Sequence, residues 1–162
     1  DQKDIRLPQL FSDLKLSASE DDAQIAEKKI WEVWCSHKVP RIQLLMDRGI
    51  KLLNNNKLNK ALVVFNLIID QAPDFSEAWN KRATVYFLMG DFEKSMHDIE
   101  STLALEPRHF GAIAGLGLIF NALGRPEYAL KAFRRVQEIY PLSRSAESFI
   151  RKLNKTKPGL RL

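Results

Sequence analysis

Few residues in this sequence have the chemistry of a catalytic or metal site. Cys35 is the only cysteine among 162 residues, so neither an intrachain disulfide nor a cysteine-based zinc site can form. The three histidines, His37, His97 and His109, include no pair at helix-face spacing, and the HExxH, GxSxG, P-loop and EF-hand patterns are absent. We therefore expect no enzymatic activity, no catalytic residues, no bound metal and no cofactor.

Long apolar runs are also absent, and none approaches the roughly 20 residues that cross a bilayer. Glycine and proline number only seven each, whereas hydrophobic residues make up 45% and charged residues 28% of the chain. This balance is typical of a soluble helical protein. The chain begins at Asp1 without a methionine, which leads us to expect that a signal peptide or another leading segment has been trimmed.

The net charge of +5 is concentrated at one end of the chain. Residues 41–124 carry nine basic and nine acidic side chains, whereas residues 125–162 carry ten basic and only three acidic ones. One interpretation is an anionic partner, with a membrane surface more plausible than nucleic acid. The other, which we favour, is that a terminal helix needs a soluble outer face.

An internal repeat organises the central part of the chain. Pro73, Pro107 and Pro141 are 34 residues apart, and the residues between them agree in size column by column. The eighth column, for example, is always small, which lets two helices approach closely: Gly49, Ala83 and Gly117. The period defines three units, which span residues 42–75, 76–109 and 110–143.

Each unit has the signals of two helices joined by a tight turn. Asn56, Gly90 and Gly124 tolerate the left-handed conformation that ends a first helix, and Asp91 can cap the helix that follows. The closing prolines stop each second helix. We therefore predict six helices in the repeats, near residues 42–55, 58–71, 76–89, 92–105, 110–123 and 126–139.

These columns resemble the tetratricopeptide-repeat family, whose Trp/Leu–Gly–Tyr and Ala–Phe–Pro pattern the three units follow in residue size. The stretch 77–117, EAWNKRATVYFLMGDFEKSMHDIESTLALEPRHFGAIAGLG, is similar to bacterial proteins of an alphaproteobacterial type. The resemblance implies an all-α, right-handed α-α superhelix. Such proteins often carry an export signal, so it also implies a periplasmic or secreted location, with the cytoplasm as the alternative.

Three segments flank the repeats. We predict that 1–18 is an extended or flexible arm, with 7–11 docked as a strand-like segment or lying in a neighbour's groove. Residues 19–41 read as a helix that packs on the first repeat and has Trp31 and Trp34 on its apolar side. Residues 144–162 read as a capping helix followed by a basic tail whose end is frayed.

The resemblance also implies where a partner would bind, because first helices line the concave side of such a superhelix. The groove would suit a peptide or helix with apolar anchors, since its floor is apolar with a few amide and hydroxyl groups. Alternatively, the N-terminal helix covers Met46, Ile50 and Leu53. The family's clamp for a terminal carboxylate is not expected, because Met46, Ile50, Gly111 and Gly115 stand at its polar places. The predicted groove residues are Met46, Ile50, Leu53, Asn80, Thr84, Phe87, Leu118 and Asn121.

Arg82 is unusual for its place in the repeat, where the family has leucine. We expect it to reach the next inter-repeat turn, which contains Glu106, Arg108 and His109. Two interpretations remain open: a polar recognition spot for a partner, or an internal ion pair that fixes the angle between units two and three.

The sequence thus predicts a non-enzymatic scaffold that binds a protein or peptide and has no small-molecule substrate. Two other hypotheses remain: a peripheral binder of anionic surfaces that uses the basic C-terminal cap, and a scaffold that self-associates by stacking its terminal helices.

Overall fold

The computed structural model describes residues 1–156, and over these residues the chain forms helices and no strands. The helices are α1 (Leu7–Leu16), α2 (Glu20–Trp34), α3 (Pro40–Asn54), α4 (Leu58–Gln71), α5 (Ser76–Leu88), α6 (Phe92–Leu105), α7 (Phe110–Ala122), α8 (Pro126–Ile139) and α9 (Arg144–Thr156).

The turn residues act as the repeat pattern predicts. Asn56, Gly90 and Gly124 have φ values of 55°, 79° and 66°, which end the first helix of each repeat in the left-handed region. Asp91 caps α6 by accepting a hydrogen bond from the backbone N–H of Lys94. Each repeat is therefore a helical hairpin: α3 with α4, α5 with α6, and α7 with α8.

The small residues of the eighth column bring the helices of a repeat into contact. A Cβ at Gly49 would lie 2.6 Å from Cε1 of Phe65, and a Cβ at Gly117 would lie 2.9 Å from Cζ of Phe133. Both phenylalanines are fully buried, so the glycines make room for the rings. The predicted all-α solenoid of three hairpins is confirmed.

The prediction of an extended arm over residues 1–18 is wrong. Residues 7–16 form α1, which has Pro8 in its first turn. Leu7, Phe11 and Leu14 recur at helical spacing and are buried, and the hydrophobic gain of that face stabilises the helix. The run is too short for its periodicity to stand out in the sequence.

The prediction that the N-terminal helix packs on the first repeat is also wrong. α1 and α2 form a hairpin whose buried residues join the core of the third repeat and α9. Trp34, for example, contacts Phe110 of α7, with 4.9 Å between ring centroids. Trp31 of α2 packs on Gly111 of α7, where the absence of a side chain makes room for the indole.

α9 packs on α8 and closes the C-terminal end of the solenoid. Ala146 and Leu153 are buried, and the Phe149 ring stacks on Phe133 with 4.6 Å between centroids. The predicted tail beyond residue 156 lies outside the described residues. Within residues 1–156, no helix has both the length and the apolar character needed to cross a membrane.

Candidate binding groove

The α1–α2 hairpin covers part of the face formed by the first helices of the repeats. Trp31 lies directly on Gly111 of α7, where a Cβ would be only 2.5 Å from the indole Cη2. Trp34 stacks on His109, with ring centroids 3.9 Å apart and planes inclined by 10°. We call this region, near the amino-terminal ends of α5 and α7, the covered half of the concave face.

Beneath the indoles lies a buried ion pair. The carboxylate of Glu77 contacts Nε2 of His109 at 2.7 Å and Nζ of Lys81 at 3.0 Å, and the Glu77 and His109 side chains have no exposed area. Nδ1 of His109 accepts a hydrogen bond from the backbone N–H of Ala112, so the proton of a neutral ring is on Nε2 and is donated to Glu77. The Lys81 ammonium is 5.0 Å from the centroid of the Trp31 ring.

This environment keeps Glu77 ionised. Burial by itself would raise its pKa, but the positive charge of Lys81 and the hydrogen bond from His109 outweigh burial and hold the pKa at about 2. The buried carboxylate is therefore a permanent anion at neutral pH, paired with a cation on its own helix.

Cys35 completes the cluster and is chemically inert there. Its Sγ donates to Oε1 of Glu77 at 3.8 Å. Burial, together with the negative charge of Glu77, raises the pKa of the thiol to about 12. A thiolate is the reactive form of cysteine, and the raised pKa keeps Cys35 in the thiol form at neutral pH.

The remainder of this face is open. A cavity of about 170 Å³ lies between α5 and α7, and a Cβ at Gly115 would enter it with only Cδ1 of Ile99 nearby, at 3.4 Å. We call this region the open half of the concave face. Its walls are mainly apolar or lack long side chains: Asn80, Ala83, Thr84, Phe87, Ser95, Ile99, Gly111, Ala114, Gly115 and Leu118.

Four of the eight predicted groove residues line this cavity: Asn80, Thr84, Phe87 and Leu118. The two polar ones already have partners inside the protein. The Asn80 amide donates to Glu77, and the Thr84 hydroxyl donates to the Asn80 carbonyl. The open half therefore offers mainly shape and apolar surface.

The other four predicted residues lie elsewhere. Met46 is completely buried in the core of the first repeat, and Ile50 and Leu53 pack half-buried against that core. Asn121 is exposed beyond the cavity. The indoles of α2 lie against the third repeat, so they are not what buries Met46.

Comparison with known proteins shows which family this chain belongs to. The tetratricopeptide-repeat family model matches residues 76–109. A TPR repeat-containing protein of Rhizobium etli is 38% identical over 156 residues, which cover 96% of this chain and 76% of that protein. The chain belongs to the tetratricopeptide-repeat family. The prediction of a likeness to alphaproteobacterial members is confirmed by the same relative.

Solved structures share the fold of this tetratricopeptide-repeat protein. The first TPR of Spaghetti (RPAP3), bound to the HSP90 peptide SRMEEVD, superposes with a TM-score of 0.68 at 24% identity, covering 73% of this chain and 94% of that one. The Yersinia enterocolitica type III secretion chaperone SycD, in complex with a peptide of the translocator YopD, gives a TM-score of 0.68 at 13% identity, with coverages of 74% and 97%.

The predicted polar spot around Arg82 does not form in this tetratricopeptide-repeat protein. The Arg82 guanidinium donates to both Asp98 carboxylate oxygens, at 2.7 and 2.8 Å, and to Asn66 at 2.8 Å. Glu106 instead pairs with Arg108 within its own turn, and His109 pairs with Glu77. Arg82 thus forms an ion pair within repeat two and a hydrogen bond to repeat one, because α4 and α6 both lie within its reach. The predicted ion pair between repeats two and three is wrong.

The basic C-terminal cap is partly neutralised at its surface. Arg144 bonds to Glu20 of α2, Arg151 to Glu147, and Arg135 to Glu138. These are exposed pairs of modest energy. The hypothesis of an anionic surface as partner stays a prediction.

The sequence did not lead us to predict that Trp31, Trp34 and Glu77 lie in one cluster. A usable signal was Gly111, since a position without a side chain on a first helix leaves space that another element can fill.

Proposed function

We propose that this chain is a protein-interaction scaffold that binds an apolar side chain of a partner's peptide segment in the open half of its concave face. The observation that carries this proposal is the cavity between α5 and α7, which the protein's own hairpin stops short of filling. Peptide-bound relatives of the same fold, with HSP90 and YopD peptides, support a peptide as the ligand.

The cavity favours a small anchor over a whole helix. Its volume of about 170 Å³ accommodates an apolar side chain, and Phe87 and Leu118 supply its apolar walls. The covered half prevents a long segment from continuing toward the amino-terminal ends of α5 and α7, because Trp31 lies there. We infer that the bound segment is short and enters from the side of Asn121.

Filling the cavity tests the proposal without damage to the fold. Gly115→Leu places a side chain in the open half, where a Cβ meets only Ile99, and it also replaces a poor helix former with a good one. Ala104→Leu is the matched control, because Ala104 is exposed on α6 and does not line the cavity.

The measurement is affinity capture from an extract of the source organism, with both variants and the wild type as bait and with mass spectrometry as readout. We expect a set of proteins that the wild type and Ala104→Leu retain and Gly115→Leu loses. Capture of the same set by all three baits would contradict a role for this cavity.

A further inference from the structure

The convex side of the solenoid has two equivalent grooves between consecutive repeats. The first groove lies among α4, α5 and α6, and the second among α6, α7 and α8. Because the repeat is 34 residues long, each residue of the second groove has a counterpart 34 positions earlier in the first. The two grooves can therefore be compared position by position.

Arg82 occupies the first groove. Its guanidinium is bonded to Asp98 and Asn66, and it lies over the rings of Trp79 and Tyr86 at 4.9 and 5.8 Å from their centroids. The side chain is only 16% exposed. This groove is closed by the protein itself, with its polar groups satisfied.

The second groove lacks the Arg82–Asp98 pair that closes the first groove, which we call the plug. Leu116 stands at the position of Arg82, and Ala132 at the position of Asp98. Both replacements are shorter or uncharged, and they leave an apolar cavity of about 340 Å³ that is also lined by Leu103 and Ile113. Tyr128 borders the cavity with half of its side-chain area exposed, packed on Phe120 with 5.2 Å between ring centroids.

The rim of the second groove is positively charged. Lys131 and Arg135, one helical turn apart on α8, line it, and no acidic residue is among its lining residues. Their counterparts in the first groove are His97 and Ser101. Arg135 also pairs with Glu138, but both side chains are more than half exposed, so a partner's carboxylate can take over the guanidinium at little cost.

We propose that the second convex groove docks a segment of a partner protein in which a large apolar side chain stands beside aspartate or glutamate residues. The apolar side chain enters the cavity over Leu116 and Ala132, and the carboxylates meet Lys131 and Arg135. Like charges disfavour a lysine-rich segment, so the rim selects acidic sequences. This surface is separate from the concave cavity, and the proposal does not depend on the groove function.

The experiment uses a panel of fluorescein-labelled ten-residue peptides, each with a central Phe or Leu flanked by Asp and Glu, and a second panel with Lys flanks. Fluorescence anisotropy measures affinity, and amide chemical shifts of the ¹⁵N-labelled protein locate the site. We expect acidic peptides to bind, to shift the resonances of Tyr128, Lys131 and Ala132, and to bind less tightly as salt increases.

Two variants test the groove directly. Lys131→Glu with Arg135→Glu reverses the rim on exposed side chains and should weaken binding at least about tenfold, whereas His97→Glu with Ser101→Glu, the same columns of the first groove, should change it less than about twofold. Leu116→Arg with Ala132→Asp rebuilds the plug of the first groove and should abolish binding. Circular dichroism verifies that the Leu116→Arg, Ala132→Asp variant folds. If it does not fold, the Lys131→Glu, Arg135→Glu variant alone tests the groove.

Several results would overturn the proposal. They are an acidic panel that produces no shifts in the second groove, shifts confined to Phe87 and Leu118, or affinity unchanged by rim reversal. Sedimentation equilibrium that shows a wild-type dimer, abolished by rim reversal, would assign the groove to a second copy of the chain instead. Gly115→Leu, which blocks the concave cavity, should leave peptide binding here intact, so the two proposals can fail separately.

Discussion

The covered and open halves of the concave face are built by the same two helices, α5 and α7, and differ in what fills them. In the covered half, Trp31 and Trp34 of the protein's own hairpin lie on α7 above a buried carboxylate. In the open half, Gly115 faces a cavity that no other part of residues 1–156 fills. The difference teaches that one face can anchor the hairpin at one end and, in the function proposed above, receive a ligand at the other.

The covered half also shows how buried charge is tolerated in a small solenoid. Glu77 is stabilised by Lys81 and His109, whereas a lone carboxylate at full burial would be strongly unfavourable. We hypothesise that this pairing fixes α5 against α7, since Glu77 lies on α5 and His109 caps the amino-terminal end of α7. The open half, with its apolar walls, has no comparable constraint.

The largest effect is expected from removal of the stacked indole. Trp34→Ala should lower the free energy of unfolding by about 3 to 5 kcal/mol, because Trp34 is fully buried between α1 and α7. Its Nε1 has no hydrogen-bond partner within residues 1–156, so the expected loss comes from packing. Urea denaturation measures it, with Trp79→Ala, a partly exposed indole, as control. A loss below about 1 kcal/mol would show that the hairpin is only loosely attached.

The next effect is a pH dependence caused by Glu77. Its pKa is about 2 in the folded protein, well below its ordinary value of 4.5. A depressed carboxyl pKa stabilises the folded state above pH 4.5, and that contribution, about 3 kcal/mol, is lost as the pH falls from about 5 toward 2. Urea denaturation at pH 6, 5, 4 and 3 should show a steeper decline for wild type than for Glu77→Gln, with the two converging at low pH.

Glu93→Gln is the control for this pH series, because Glu93 is an exposed residue of the first turn of α6. Its curve should run parallel to that of wild type. If Glu77→Gln gives a parallel curve as well, the carboxylate is not held ionised by Lys81 and His109, and the proposed link between α5 and α7 loses its electrostatic part.

Prediction from sequence succeeded where a local rule repeats. The 34-residue period, the small eighth column, and Asn56, Gly90 and Gly124 at the turns each follow from contacts inside one hairpin or between neighbours. The family resemblance also put Phe87 and Leu118 on one face, where they line the open half.

Prediction failed where the contact partner lies far along the chain. Nothing in the periodicity of α2 states which repeat its indoles meet, and the decisive feature is a missing side chain at Gly111. Arg82 was expected to point forward to the next turn, but its length also allows it to reach back to Asn66 and across to Asp98. Several charged partners lay within range, and only the packed geometry selects among them.

Adding a methyl group at Gly111 tests how tightly Trp31 packs in the covered half of the concave face. In Gly111→Ala the new Cβ would lie 2.5 and 2.9 Å from two atoms of the Trp31 ring, which also packs edge-on against Trp34 and Phe110. We expect a loss of about 1 kcal/mol in the free energy of unfolding, measured in urea, despite the gain in helix propensity. Unchanged stability would indicate that Trp31 moves away easily and that the covered half can open.

The smallest expected change in the free energy of unfolding is an increase, and it comes from the same helix, α7. Gly115→Ala, one turn later in α7, gains the same helix propensity, but its Cβ meets only Ile99 Cδ1 at an ordinary 3.4 Å. The free energy of unfolding should therefore rise by about 0.5 to 1 kcal/mol in the urea experiment. Because the intrinsic gain is shared, the difference between the two alanine variants isolates the contact with Trp31. Equal effects at both glycines would mean that the two halves of the concave face are equally open in solution.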